Sequence, residues 1–302
     1  MNAKNVCYRF AGCALVVSLC AFGQNTLATQ DAVTDIPALV RQSAQKSSEN
    51  WRARGQHYSD FTYKIRWVER RQGKPEESQV FEMYFPDAKR EYKRYRSVQI
   101  MLERNGRPLP PERIEAERRK AGEQLAKEES NGTERSEDAA AQASAPWMIT
   151  TVNVGGGKKA TVNVAEVMET CEFHSPRRAR LNDRETIVLD FRPRSGARFS
   201  AATSYMPRVA GRLWIDAQDQ VVVRCAIWPQ ALKTEAGNEA AFTYELVKVK
   251  EGLWLAGRLH INSTKYPDLF PALKNIEVIS EQFDYQYFGV GLEKERLKAP
   301  GQ

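Results

Sequence analysis

The residues best equipped for chemistry are few and poorly spaced for it. The chain has three histidines, His57, His174 and His260. None falls in a His-Glu-x-x-His frame or at another metal-ligand spacing. Each reads as a strand or surface histidine, and no metal site is expected. Ser195 and Ser204 lack the Gly-x-Ser-x-Gly frame that presents a nucleophile on a tight strand-to-helix turn. Glu76-Glu77 and Glu128-Glu129 sit in turn and charged-helix contexts, where solvation is the usual role. Gly155-Gly156-Gly157-Lys158-Lys159 has the look of a phosphate loop. That loop needs glycine five residues before the Gly-Lys pair and Ser or Thr after it, and here Val152 and Lys159 stand there. The expectation is a protein that binds rather than catalyses, with no cofactor.

The five cysteines divide by position. Cys7, Cys13 and Cys20 fall in the first 28 residues. There Lys4 and Arg9 precede an apolar run at residues 11–22, short of the roughly 20 residues that span a bilayer. This segment reads as a secretory signal peptide cleaved after Gly23 or Ala28, with residues 29–302 forming one periplasmic domain. Cys171 and Cys225 remain. In an oxidising compartment they can form a disulfide, or they can pack as two buried thiols. The sequence leaves both open.

The elements that must position these residues are mostly strands. Residues 34–52 read as a short helix with Ile36, Leu39 and Val40 on one face. At Phe61, Tyr63, Ile65 and Trp67 the apolar period becomes two, the mark of a half-buried strand. Strands follow at 80–85 and 92–101. Pro108, Pro110 and Pro111 then break the pattern. Residues 112–127 form a charged helix with a thin apolar stripe at Ile114, Ala121 and Leu125, and 128–146 are polar and small. The tetrapeptide Thr-Val-Asn-Val repeats at 151–154 and 161–164 around the glycine run, as a hairpin or loop. Asn163 and Glu166 open a short helix in capping-box spacing. Strands at 171–181, 185–192, 211–216, 220–228, 242–250, 253–262 and 276–288 are joined by short turns without crossover helices. The class is α+β with an antiparallel sheet.

Charge is unevenly spread. Residues 51–120 hold 18 basic and 11 acidic residues, and residues 171–212 hold 9 arginines against 4 acids. The dense clusters are Lys93, Arg94 and Arg96, and Arg177, Arg178 and Arg180. Such clusters suit an anionic membrane face or an acidic partner, or they are a solvated sheet face. A secreted protein seldom meets nucleic acid, so none is expected.

Four features together resemble the bacterial periplasmic lipoprotein carriers, the LolA/LolB-like outer-membrane lipoprotein-sorting superfamily. They are a leader, short helix and aromatic first strand at 61–68; Arg184-Glu185-Thr186-Ile187-Val188-Leu189-Asp190 after an Asn turn; Gly211-Arg212-Leu213-Trp214-Ile215-Asp216 running through a tight turn to 221–224; and a closing aromatic strand at 283–288. The resemblance covers most of residues 34–290 and is nearest to divergent members with a charged helix like Pro111-Glu112-Arg113-Ile114-Glu115. It implies a curved antiparallel half-barrel wrapped around a few helices that act as a lid, here with a charged insert at about 104–160. It further implies a monomer that carries lipid or lipoprotein acyl chains on its apolar face, or a sensor that binds an envelope partner. The residues that could line such a cavity, or else simply fill a core, are Phe61, Tyr63, Ile65, Trp67, Leu213, Ile215, Leu255 and Leu259.

Overall fold

The computed structural model describes residues 35–57, 60–84, 98–130, 149–153, 159–200, 203–232, 240–273 and 275–287. Residues 1–28, where a leader is expected, the basic residues Lys93, Arg94 and Arg96, and residues 131–148 of the insert lie outside the described residues. The strands are β1 (Phe61–Arg71), β2 (Glu77–Tyr84), β3 (Val98–Arg104), β4 (Arg107–Pro108), β5 (Ile149–Asn153), β6 (Lys159–Asn163), β7 (Cys171–Leu181), β8 (Arg184–Pro193), β9 (Val209–Asp216), β10 (Val222–Pro229), β11 (Phe242–Lys250), β12 (Leu253–Asn262) and β13 (Ile276–Tyr287). The helices are α1 (Ile36–His57), α2 (Pro111–Ser130) and α3 (Val164–Thr170).

Eleven strands make one antiparallel sheet in the order β4-β3-β2-β1-β13-β12-β11-β10-β9-β8-β7. The first long strand pairs with the last in mid-sheet, and every other neighbour in this sheet is joined in sequence order. β4 and β7 are the edges, so the sheet is open. Each strand pair twists by roughly 20°, so a sheet this wide must curl. β5 and β6 form a separate hairpin around the glycine run.

Directly paired residues share a face of a ladder. One row can therefore be followed across the sheet: Leu189, Leu213, Cys225, Tyr244, Leu259, Ser280 and Trp67. Leu189, Leu213 and Cys225 are fully buried, and the row belongs to a core shared with Leu39 and Val40 of α1 and Val164, Val167 and Met168 of α3. Asn163 starts α3 as expected, its side chain accepting the Glu166 amide at 3.1 Å. The charged helix α2 lies elsewhere. Its Ile114 and Ala121 pack on Val98 and Ile100 of β3. Ile100 pairs with Glu82, whereas Phe81 pairs with Ile65 on the Trp67 row. Hence α2 covers the face of the sheet opposite the one that holds Leu39 and Val40 of α1.

α1 has 22 residues and is about 33 Å long. It crosses the strands, meeting β7, β10 and β12. A polar seam holds its second half. Ser47 Oγ accepts the Val222 amide at 2.9 Å. Asn50 brackets Trp254, donating to its carbonyl at 3.1 Å and accepting from its amide at 2.9 Å. Arg54 donates to the Tyr244 hydroxyl at 2.9 Å. The β11 ladder shifts register between Lys248 and Lys250, and Asn50 satisfies the main chain of Trp254 beside that irregularity.

Candidate functional site

Three turns meet at one end of the sheet. The β7–β8 turn consists of Asn182 and Asp183, with φ of 49° and 63°, the left-handed pair that two-residue hairpins require. The β9–β10 turn follows Asp216, whose carboxylate accepts the amides of Gln218 at 3.1 Å and Asp219 at 2.8 Å. The β11–β12 turn is Glu251-Gly252, with Gly252 at φ 68°. Together they present Arg184, Asp216, Asp219, Lys248 and Trp254.

Arg184 grips Asp216 through Nε at 2.6 Å and Nη2 at 3.0 Å. Its guanidinium also lies 5.3 Å from the Trp254 ring centroid. Arg184 is on β8 and Trp254 on β12, four strand positions away and on the order of 19 Å apart in a flat sheet. Their long side chains meet over the β9–β10 turn between the two strands, where Arg184 Nη2 stands 3.7 Å from Asp219. The Trp254 indole donates to Asp219 at 2.8 Å. Lys248 Nζ reaches Asp219 at 2.9 Å and Glu251 at 3.1 Å. Burial pulls the Asp216 carboxyl upward, but the Arg184 pair and the turn amides outweigh it and hold the group below the usual aspartate range. Lys248 is raised, first by its bond to Asp219.

These groups border a cleft of about 210 Å³ lined by Leu181, Asn182, Arg184, Thr186, Asp216, Val223, Leu246, Val247, Lys248 and Trp254. Its lining mixes apolar side chains with charged ones, and each cation already faces a carboxylate. No Ser, Cys or His lines it, and the Thr186 hydroxyl is committed to the Ala179 carbonyl at 2.9 Å. The arrangement can receive an apolar group; it holds no nucleophile and base in mutual reach.

The eight residues named as lining a cavity or filling a core pack in three clusters. Leu213 and Ile215 are fully buried in the main core, with Trp67 and Leu259 packed against it. Phe61 and Leu255 pack with Leu253 and Ala53 in a second cluster. Tyr63 and Ile65 join Met83 and Phe81 in a third. None of the eight borders this cleft. Cys171 and Cys225 are free thiols, both buried. Burial pushes the Cys171 thiol up to about 12 and raises Cys225 as well.

Arg177, Arg178 and Arg180 divide between the two faces of β7. Arg177 pairs with Val188, Arg178 with Ile187 and Arg180 with Glu185. Strand alternation thus puts Arg178 and Arg180 on one face of β7 and Arg177 on the other. Arg177 is bound bidentately to Asp190 at 3.0 and 3.2 Å. Three arginines adjacent in sequence are not one patch. That face of the sheet carries a different array, unread in the sequence. Arg212 bonds Asp190 at 2.6 Å and lies 5.8 Å from the Trp214 ring and 5.7 Å from the Trp228 ring. Arg224 stands 4.7 Å from the Trp214 ring, beside Glu245 at 3.2 Å.

No family model matches the chain, and no curated protein sequence does. Among solved structures it is similar to an outer membrane lipoprotein-sorting protein domain from Vibrio parahaemolyticus, at 10% identity over 85% of this chain and 97% of that one, TM-score 0.36. It is also similar to a LolA superfamily protein from Nitrosomonas europaea, at 8% identity over 84% and 96%, TM-score 0.31. A third similarity is to MucB in complex with MucA, at 10% identity over 86% and 60%, TM-score 0.26. All three scores lie below 0.5, and the open half-barrel rests on the strand order, an antiparallel sheet of eleven strands with β4 and β7 at its ends.

Proposed function

We propose that this is a periplasmic, non-catalytic binding or carrier protein whose ligand is the acyl chain of a lipid or lipoprotein. The observation that carries the reading is the cleft bordered by Trp254, Leu246, Val223 and Leu181, whose charged lining residues are already paired. Because Arg184 and Lys248 are already paired with Asp216 and Asp219, no net attraction is left over for a charged headgroup. An apolar tail gains by burying its methylenes there. At about 210 Å³ the cleft is smaller than the roughly 300–1,000 Å³ of pockets that enclose a whole drug-sized ligand. It fits the terminal part of one chain, with the remainder of the lipid outside.

The test uses a fatty acid brominated near its methyl end, which quenches a nearby indole. The expected result is saturable quenching of Trp254 fluorescence, lost on Trp254→Phe. Val247→Trp, which fills the cleft, is expected to weaken binding of the unbrominated acid without lowering the urea midpoint. A protein that neither quenches nor retains lipid in native mass spectrometry would sink the reading.

A further inference from the structure

β7 is a sheet edge, with no strand on its outer side among the described residues. Its two halves differ. The first half is blunted: Ser175 has φ 54°, Pro176 offers no amide, and the register slips between His174 and Arg177. These features keep a free edge from pairing indiscriminately. The second half, residues 177–181, is a regular ladder with an open outer side.

Arg178 and Arg180 stand two residues apart on one face of that segment. The positive charge there is under-compensated. Arg178 has Glu185 at 3.6 Å, a carboxylate that is 72% exposed and so contributes little. Arg180 donates to the Asp183 carbonyl at 3.0 Å and makes no ion pair among the described residues. Glu185 is the ladder partner of Arg180 and the ion-pair partner of Arg178, so one carboxylate serves two cations.

We propose that residues 177–181 form a docking edge for an extended acidic segment of another protein, which adds as a further antiparallel strand. Main-chain hydrogen bonds along β7 supply the pairing. Carboxylates at alternate positions of the incoming strand, about 6.8 Å apart, match the Arg178–Arg180 spacing. A second copy of this chain does not fit. Two β7 edges laid antiparallel would bring arginines against arginines, and like charges directly opposite are destabilising. Pro176 limits the added strand to a few residues. The edge runs out at Leu181 and Asn182, which line the cleft, so the partner's end would stand at the cleft mouth. The inference does not depend on what the cleft holds.

The probe is a short fluorescent peptide with Glu at alternate positions and Val and Thr between, titrated into the full chain by anisotropy. The expected result is binding that weakens with salt and protects β7 amides from hydrogen exchange. The Arg178→Glu/Arg180→Glu variant is expected to lose about tenfold or more in affinity, and Arg178→Gln/Arg180→Gln to lose less. Urea midpoints check that each variant is folded. A peptide N-methylated at alternate amides, with identical side chains, is expected not to bind. Equal binding by the N-methylated peptide would overturn strand addition. Undiminished binding by the charge-reversed variant, or none by the wild type, would overturn the site. Phosphatidylglycerol vesicles captured through these two arginines, with the peptide left unbound, would overturn it in favour of a membrane face.

Discussion

Asp216→Ala is the substitution that tests how the cleft is built. Asp216 is 1% exposed and accepts four hydrogen bonds, two from Arg184 and two from the amides of Gln218 and Asp219. Removing a buried charged partner costs 3–5 kcal/mol where the other charge stays buried. The Arg184 side chain is 30% exposed and can rehydrate, so its share is smaller; the two turn amides lose their acceptor. The expected loss is about 3 kcal/mol, which for a chain of this size lowers Tm by about 6–12 °C. Asp216→Asn keeps an oxygen for the turn amides but loses the charge, so it should lose about half as much. Urea unfolding of the three proteins across pH measures this. The Asp216 carboxyl is held below its ordinary value of 3.8 in the folded state. Its charge therefore contributes fully above pH 3.8, and that contribution is lost as pH falls through the lower folded value. The gap between wild type and Asp216→Ala should then narrow in acid. A variant within about 0.5 kcal/mol of wild type at neutral pH would refute the network as the organiser of the three turns, that being the scatter of ordinary surface substitutions. A gap unchanged in acid would refute its electrostatic origin.

Arg212→Ala removes the 2.6 Å bond to Asp190 and the contacts with Trp214 and Trp228, and should cost about 2 kcal/mol by urea titration. Asn50→Leu leaves the buried amide and carbonyl of Trp254 without partners, and should cost about 2–3 kcal/mol with a change in Trp254 emission. Gly211→Ala should fold poorly, because a Cβ there would stand 2.1 Å from the Phe191 ring and 2.5 Å from the Ala226 carbonyl oxygen, measurable as lost soluble yield and a lower Tm. Cys171 and Cys225 should react with a thiol reagent only as fast as the protein opens, since both are buried and burial raises both thiols.

Local pattern was a good guide to the strands. The expected bounds 242–250 and 253–262 match β11 and β12 to the residue because Glu251-Gly252 marks the turn between them, although both strands are buried in runs rather than at every second residue. Residues 61–67 found the start of β1, which runs on to Arg71 because Arg70 and Arg71 still pair with Glu277 and Ile276. α1 runs to His57, five residues past its expected end, since the seam of Ser47, Asn50 and Arg54 is polar and gives no apolar period to read. The leader, the cluster at 93–96 and the glycine loop lie outside the described residues, so the structure does not bear on them.

The cleft was illegible for a reason that also bears on how it works. Its charged residues each sit at a strand end beside a turn, and each turn was visible. What brings Arg184 to Trp254 is the strand order, which sets β8 and β12 on either side of the β9–β10 turn and its Asp219, and no window of sequence encodes that order. Of the large apolar residues that could line a cavity or fill a core, several are fully buried. Phe61, Leu213, Ile215 and Leu255 are all at most 3% exposed because they close the core. Among the described residues the cleft lies at the end of the sheet, beside turns and paired charges rather than among these core side chains. Emptying the core to make room, by Leu213→Ala for instance, would cost about 2–5 kcal/mol. Widening the end by moving one turn costs the contacts of that turn alone. On the proposed acyl-chain reading, lipid retention in native mass spectrometry should respond to substitutions in 182–184, 217–220 and 251–252, and hardly at all to conservative changes among the core aromatics and leucines.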